Sequence, residues 1–414
     1  KWWHKIINIK VKHMKGAHKI IVKFHYEINE NKKICHTHNY PNSKIHLLKC
    51  YFSNYLYPRF NSIAYGDLHY HTNLTDDMVE FGAPMSETLK IAESMGVDFV
   101  CNTDHSYDLD DKIDSWFETD PDLIKWNESR EEISKINNRE DIKSIMIPSE
   151  ELSLHNSKHQ NIHALILNNS SFLPGYGDGG ENLFKRDSIY NTSTIYNVLE
   201  EEALCIAAHP FVKVPLLERL IFKRGQWHFK DITDNRLCGF QILNGKIDHG
   251  FKAGLKIWIK ILLMGYHKYI YAGNDAHGNF NYYRQIKIPM ISIHEKDSQI
   301  LGECRTGVII ADNNDIIGNF FPSLIETEDS LSRFKDEIIA TGWWDNTLNI
   351  SPDGQTFSNI LDSNNWQNVN WYESQSSENI KIYFDKILSS LSNAKSIIEL
   401  IRNEKLRTLD DYVK

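Results

Sequence analysis

Leu89-Lys-Ile-Ala-Glu-Ser-Met-Gly96-Val-Asp-Phe-Val-Cys-Asn-Thr-Asp104-His105 changes its period once, at Gly96, and that change decides the fold. Before the glycine, Leu89, Ala92 and Met95 share one helical face; after it, Val97 to Thr103 reads as a strand. Gly96 can stop the helix in a left-handed conformation. The unit is helix, turn, strand, with an acid and a histidine at the strand's carboxyl end. The same ending recurs at Ser144 to Ile147 before Glu151, at Leu204 to Ala208 before His209, and at Tyr269 to Ala272 before Asp275. Helix then strand, repeated, predicts an α/β chain with a parallel sheet. In barrels built from such units the active site lies at the carboxyl ends of the strands, where distant parts of the chain share one mouth. His163 departs from the pattern because it begins its apolar run, Ala164 to Leu167, which implies a tight return from the strand carrying Glu151.

The residues at these strand ends are metal-ligand types. His69 and His71 lie one residue apart on an extended segment, so both can point to one side and hold one ion. Asp76 follows, then His105, Glu151, His163, His209, Asp275 and His277. A carboxylate can bridge two cations about 3.5–4 Å apart, the separation used in two-metal hydrolysis, and Glu151 is the candidate bridge. No cysteine accompanies the set, so imidazole and carboxylate would be the donors, which suits two to three divalent ions of zinc, manganese or iron rather than a closed thiolate site. Any one of these histidines alone reads as a solvated strand-end residue, and only the ordered set reverses that. Three positions have close rivals: Asp77 beside Asp76, Glu150 beside Glu151, and His155 and His159 before His163. His36 and His38 form another His-x-His pair with no aspartate close behind, and read as surface residues.

The pieces His69-Tyr-His71-Thr72-Asn-Leu-Thr75-Asp76, Thr103-Asp104-His105, Glu151-Leu152-Ser153, Ile162-His163, Ala208-His209-Pro210 and Gly273-Asn274-Asp275-Ala276-His277 resemble, in order, the motifs of the PHP (polymerase and histidinol phosphatase) superfamily. Tyr65-Gly66-Asp67-Leu68-His69, the pair Asn244-Gly245 and a tryptophan-bearing helix before the last motif look more like its CehA/McbA-like branch. Thr75 stands in a serine's place, Asn274 where serine is common, and Gln241 where an acid is common.

The resemblance implies a distorted (β/α)7 TIM-like barrel over residues 62–312; outside it, residues 1–61 read from their own pattern as a β-rich extension and 313–414 as a C-terminal mixed or helical extension bearing an amphipathic helix over Ile380 to Arg402. It also implies a trinuclear site. His69, His71, Glu151 and Asp275 would hold a first ion, Glu151, His163 and His209 a second, and Asp76, His105 and His277 a third. Glu151, Asp275 and His277 would carry the chemistry, and the basic Lys213 and Arg284, near His209 and His277 in sequence, are candidate phosphate contacts. The expected activity is metal-dependent hydrolysis of a small phosphate ester or nucleotide by a metal-bound hydroxide. A carbamate or carboxylic ester hydrolase on the same site and a non-catalytic metal-binding scaffold are the alternatives.

Composition agrees with a large enzyme, since 414 residues bury an ample core. The net charge of −9, from 46 basic and 55 acidic residues, argues against broad wrapping of nucleic acid, although a local patch or the metals could hold a phosphate. Six cysteines without Cys-x-x-Cys pairing read as reduced core residues and point to a cytoplasmic chain. No apolar run reaches the eighteen or so residues of a membrane span, so no membrane partner is expected. Phe251 to Tyr266 reads as an amphipathic helix packed on the sheet, with Lys252, Lys256 and Lys260 along one face. Gly175-Tyr-Gly-Asp-Gly-Gly180 lacks the Gly-Lys-Ser/Thr ending of a phosphate loop and reads as a surface loop. The sequon Asn73-Leu-Thr75 implies no glycosylation in a chain so rich in asparagine, and the opening Lys1 leaves a removed leader open, as the sequence leaves a homo-oligomer open.

Overall fold

The computed structural model describes residues 14–36, 48–52, 63–76, 82–176, 187–266, 268–277, 299–309 and 341–342; Arg284, His38 and the helix expected over Ile380 to Arg402 lie outside the described residues. The first strands are short: β1 (Gly16–Ile20), β2 (Lys23–Ile28), β3 (Asn31–His36) and β4 (Leu48–Phe52). They form two antiparallel pairs, β1 with β4 and β2 with β3, apart from the main sheet.

The main sheet begins at β5 (Ile63–Tyr70), followed by α1 (Met85–Ser94) and β6 (Phe99–Asn102). Gly96 stops α1 with a φ of +69°, and Val97 N donates to Ala92 O at 2.9 Å, the left-handed helix end that the local sequence predicts. A short excursion holds α2 (Ser106–Leu109), β7 (Asp111–Lys112) and β8 (Ser115–Thr119), and α3 (Ile124–Asn137) leads to β9 (Ile145–His155). The chain then passes through β10 (Asn161–Leu167), β11 (Leu204–Ala207), α4 (Leu216–Ile221), α5 (Phe229–Ile232), β12 (Gly239–Asn244), α6 (His249–Leu263), β13 (Tyr269–Gly273), β14 (Arg305–Ile309) and β15 (Thr341–Gly342).

Among the described residues the sheet order is β13-β12-β11-β10-β9-β6-β5-β14-β15. It curls until its far strands meet. His71 N donates to Ala276 O at 3.0 Å, Asp275 N donates to His69 O at 2.8 Å, and the Thr306 hydroxyl of β14 contacts both N and O of Ala272 on β13. The result is a nearly closed, barrel-like sheet.

The sheet is mixed rather than wholly parallel. β5-β6-β9 and β11-β12-β13 run parallel, but β10 is antiparallel to both neighbours and β14 is antiparallel to β5. The physical reason is the connection. Residues 156–160 turn straight back from β9, too few for the crossover that a parallel partner needs.

Inside the barrel, Ala64, Leu68, Phe99, Cys101, Ile147, Leu165, Leu167, Ile206 and Ala208 form one buried cluster drawn from alternate positions of five strands. Gly66 belongs to this wall because an added Cβ would lie 2.2 Å from the Phe99 ring. Outside, α6 lays Phe251, Leu255, Trp258 and Ile259 on the sheet. Lys252 and Lys256 of its basic stripe are exposed, but Lys260 is buried, and burial lowers its pKa to about 8. Cys101, Cys205, Cys238 and Cys304 are buried free thiols.

Candidate metal centre

The inward parity of each strand decides which side chains reach the mouth. In β5, Ala64 and Leu68 face the barrel, and the register with β6 slips between Asp67 and Tyr70. The slip reverses parity, so Tyr70 packs outward against α1 while His69 and His71 both turn inward. In β9, Ile147 is inward, which places Glu151 inward and sends Glu150 to Ser106. β10 returns antiparallel from that mouth, so its first turns lie beside the last residues of β9 and His163 pairs with Ser153. This accounts for the histidine that begins its strand instead of ending it.

Glu151 is the centre of the site. Its Oε2 lies 3.1 Å from His69 Nε2, 3.4 Å from His71 Nε2 and 3.2 Å from His105 Nδ1. Its Oε1 lies 2.7 Å from His163 Nδ1 and 3.1 Å from His209 Nε2. One carboxylate oxygen therefore faces each of two imidazole groups, the arrangement required of a bridging ligand.

The first group is the most regular. His69 Nε2 and His71 Nε2 are 3.1 Å apart, and Asp275 Oδ1 lies 3.5 and 3.3 Å from them. A tetrahedron with bonds of about 2.0–2.1 Å has edges of about 3.3–3.4 Å, so four donor atoms at these separations fit one divalent cation. Two further groups, His105 with Glu151 and His163, and His71 with His105 and His277, also offer donor atoms within 4.8 Å of one another. His71 and His277 stack with ring centroids 3.9 Å apart. These buried histidines and acids could hold metal ions.

Electrostatics follow from the crowding. Burial opposes charge on His69 and His71, yet Glu151 and Asp275 outweigh it, raising His69 and bringing His71 up to about 10. Burial likewise opposes charge on the two acids, but the imidazoles around them hold Glu151 and Asp275 well below the usual carboxylate range. For His209 burial prevails over Glu151 and lowers its pKa. The carboxylates are poised as anions that demand positive charge beside them, which is what a cation supplies.

Surrounding groups fix how the donors point. The Nδ1 of His69 is 2.8 Å from Gln241 Oε1, which can only accept, so in the neutral ring Nδ1 carries the proton and Nε2 holds the lone pair a cation would take. Gln241 Nε2 in turn donates to Asn244 Oδ1 at 3.1 Å. Asn244 Nδ2 and Gln299 Nε2 donate to Asp275 Oδ2 at 3.3 and 3.1 Å, leaving Oδ1 toward the histidines. Thr72, through N and Oγ1, and Thr75, through Oγ1, donate to the buried Asp104 at 2.6, 2.7 and 2.9 Å, anchoring the segment after His71. Gly273 is required beneath His69, whose Cβ would lie 2.7 Å from an added methyl. His209 and Asp275 have φ of +28° and +51°, an uncommon backbone that tends to accompany functional sites.

The structure thus brings together His69, His71, His105, Glu151, His163, His209, Asp275 and His277. His155, a rival of His163, instead accepts from Ser188 N at 2.7 Å. Asp76, half-buried after Thr75, belongs to none of the three groups. Lys213 lines an adjacent cleft with His163, His209, Val212, Arg224 and Gln226.

Sequence reasoning missed three contributors. Arg224 places Nη1 3.3 Å from His163 Nδ1 and also contacts its Nε2, but in sequence it is one basic residue beside Lys223. Gln241 was visible only as a departure from the resembled pattern. Asp67 accepts from His69 N, Asn274 N, Asn274 Nδ2 and Gly302 N at 2.7–3.2 Å, although burial still raises its pKa. Asn274 also donates to Cys304 O at 2.8 Å, so both departures act in holding the site together.

No family model matches this chain, and no curated protein matches it. Among solved structures, PsfC from Pseudomonas syringae PB-5123 is similar at 13% identity over 67% of this chain and 97% of that one, with a TM-score of 0.38. A candidate metal-dependent phosphoesterase from Bifidobacterium adolescentis ATCC 15703 is similar at 11% identity over 57% of this chain and 91% of that one, with a TM-score of 0.28. Likeness at this level decides nothing about the chemistry, which rests on the site's own geometry.

Proposed function

We propose that the protein is a metal-dependent hydrolase of phosphoesterase type, acting on a small phosphate monoester or nucleotide at a site for two to three divalent ions. The observation that carries this reading is Glu151, with one oxygen facing His69, His71 and His105 and the other facing His163 and His209. Cations held there supply a nucleophile at neutral pH and stabilise charge on a phosphoryl oxygen. The chain's own groups do the rest. Gln241 holds His69 in the tautomer that binds, and Asn244 and Gln299 aim Asp275. Arg224 and Lys213 bring positive charge to the cleft beside His163 and His209, where the ester's anionic oxygens would lie. That charge favours a phosphoryl over an uncharged carbonyl substrate.

The test is metal analysis of the purified chain with a panel of phosphomonoesters, phosphodiesters, carboxylic esters and carbamates. Two or three metals per chain and phosphomonoester hydrolysis abolished by His69→Ala are expected. Arg224→Ala is expected to raise KM for phosphomonoesters by about 10- to 100-fold, the range for losing a charged hydrogen bond. A single metal or none per chain, or full activity in His69→Ala, overturns the reading; hydrolysis of carbonyl esters alone replaces it with the ester-hydrolase alternative.

A further inference from the structure

The cleft beside the metal centre has a two-sided rim. It is lined by His163, His209 and Arg224 and by Val212, Lys213, Val214, Pro215 and Glu218 of the segment that contains α4. Pro215 and Glu218 line the cleft, while Leu216 and Leu220, one helical turn apart, are 72% and 67% exposed. Ile221 of the same helix is exposed as well, as is Val212 in the cleft lining. Lys223, just after α4, pairs with Asp187 at 2.6 Å. Leu216, Leu220 and Ile221, exposed together on a helix whose Glu218 lines the cleft, mark a surface built for an apolar neighbour.

Charge selects that neighbour. Within residues 212–224 four basic residues, Lys213, Arg219, Lys223 and Arg224, stand against Glu218, and with Asp187 counted beside Lys223 a positive excess of two remains, although the whole chain carries a net charge of −9. A local positive rim on an acidic protein repels most of the molecule from an anionic surface but draws this face toward it. A short helix with exposed leucines around Arg219, flanked by Lys213 before it and Lys223 after it, suits a segment that lies in a lipid interface, with apolar side chains among the acyl chains and basic ones among the headgroups.

Resting on the phosphoesterase reading, we infer that the α4 rim docks the protein on an anionic lipid surface, and that the substrate entering the cleft is a lipid phosphate monoester whose apolar tail stays in that surface. The expectation of no membrane partner rested on the lack of a spanning run. Among the described residues no helix is long and apolar enough to cross a membrane, and an interfacial rim needs none.

The experiment uses the full chain with its metals and two kinds of vesicle, pure phosphatidylcholine and phosphatidylcholine with phosphatidylglycerol. Sedimentation with the anionic vesicles only is expected, weakened about tenfold in the double variant Leu216→Glu, Leu220→Glu and reduced also in Arg219→Glu. Phosphatidic acid in the same vesicles should lose its phosphate about tenfold more slowly with the double variant, while soluble p-nitrophenyl phosphate is hydrolysed at the wild-type rate. A wild-type chain that ignores anionic vesicles, or a double variant that binds them equally, overturns the docking inference even when soluble monoesters are hydrolysed. Vesicle binding without hydrolysis of any monoester overturns the phosphoesterase reading, and the substrate inference with it, but leaves the docking surface standing.

Discussion

At the scale of the residue, the site is governed by groups that touch no proposed ion. Gln241 is the clearest. Its amide oxygen accepts from His69 Nδ1, and its amide nitrogen continues to Asn244 and so to Asp275, tying two donors of the first group into one network. Gln241→Leu removes the partner of His69 Nδ1, His209 N and Asn244 Oδ1 and frees the His69 ring to turn. Metal affinity is expected to fall about 10- to 100-fold with little change in fold, as is usual when an outer partner of a ligating histidine is lost; titration with zinc or manganese followed by calorimetry reads it, and unchanged affinity removes Gln241 from the site. Gly273→Ala tests the same ring from beneath, because the new methyl would press on His69 Cβ at 2.7 Å. Its expected outcome is also weakened metal binding, with a lower melting temperature, since backbone and ring must both shift. The ligand types were legible in the sequence because their spacing at strand ends is itself the signal. Gln241 and Asn274 were legible only as oddities, since a hydrogen bond to a residue 172 positions away leaves no local pattern.

At the scale of the element, the helix-to-strand change at Gly96 was readable because period and glycine act within a few residues. The antiparallel entry of β10 was not, because direction depends on what residues 156–160 can span rather than on the strand's own composition. Lys268, just before β13, shows another element-level dependence hidden from sequence. It is almost wholly buried, its ammonium donates to Asp234 O and Leu237 O in the turn before β12, and its carbonyl accepts from Trp258 Nε1 of α6 at 2.6 Å. Burial lowers its pKa from 10.5 to about 8. The folded chain therefore releases this proton before the unfolded chain does, and between about 8 and 10.5 the unfolded state binds more protons, so stability rises with pH across that window. Denaturant unfolding of the wild type and Lys268→Met should show the wild type gaining up to about 3 kcal/mol relative to the variant between neutral pH and the top of that window. A difference that stays constant or shrinks would show that the ammonium is not held at a desolvated position.

At the scale of the whole molecule, the donors come from the ends of β5, β9, β10, β11 and β13 and from the turn after β6, so they span the nearly closed sheet. His69 and His71 sit on one side of the seam and Asp275 on the other, where the backbone contributes the Asp275 N to His69 O and His71 N to Ala276 O bonds and the Asp67 carboxylate accepts from Asn274 N and Nδ2. A cation shared by these side chains would close the barrel where its hydrogen-bonded ladder is shortest. Linkage sets the size of the effect. An ion that binds only the folded state at a thousandfold excess over Kd adds about 4 kcal/mol of stability, and chelation removes it. The chain is therefore expected to melt at a lower temperature in chelator and to recover when zinc or manganese is returned, with hydrogen exchange in chelator accelerating first at β5 and at residues 273–276. Glu151→Gln, which weakens the bridge between groups, should melt with much less sensitivity to chelator than the wild type. A wild-type chain whose melting and exchange ignore chelation would mean that hydrogen bonds alone hold the seam, and that the clustered imidazoles and carboxylates stabilise the barrel without a metal.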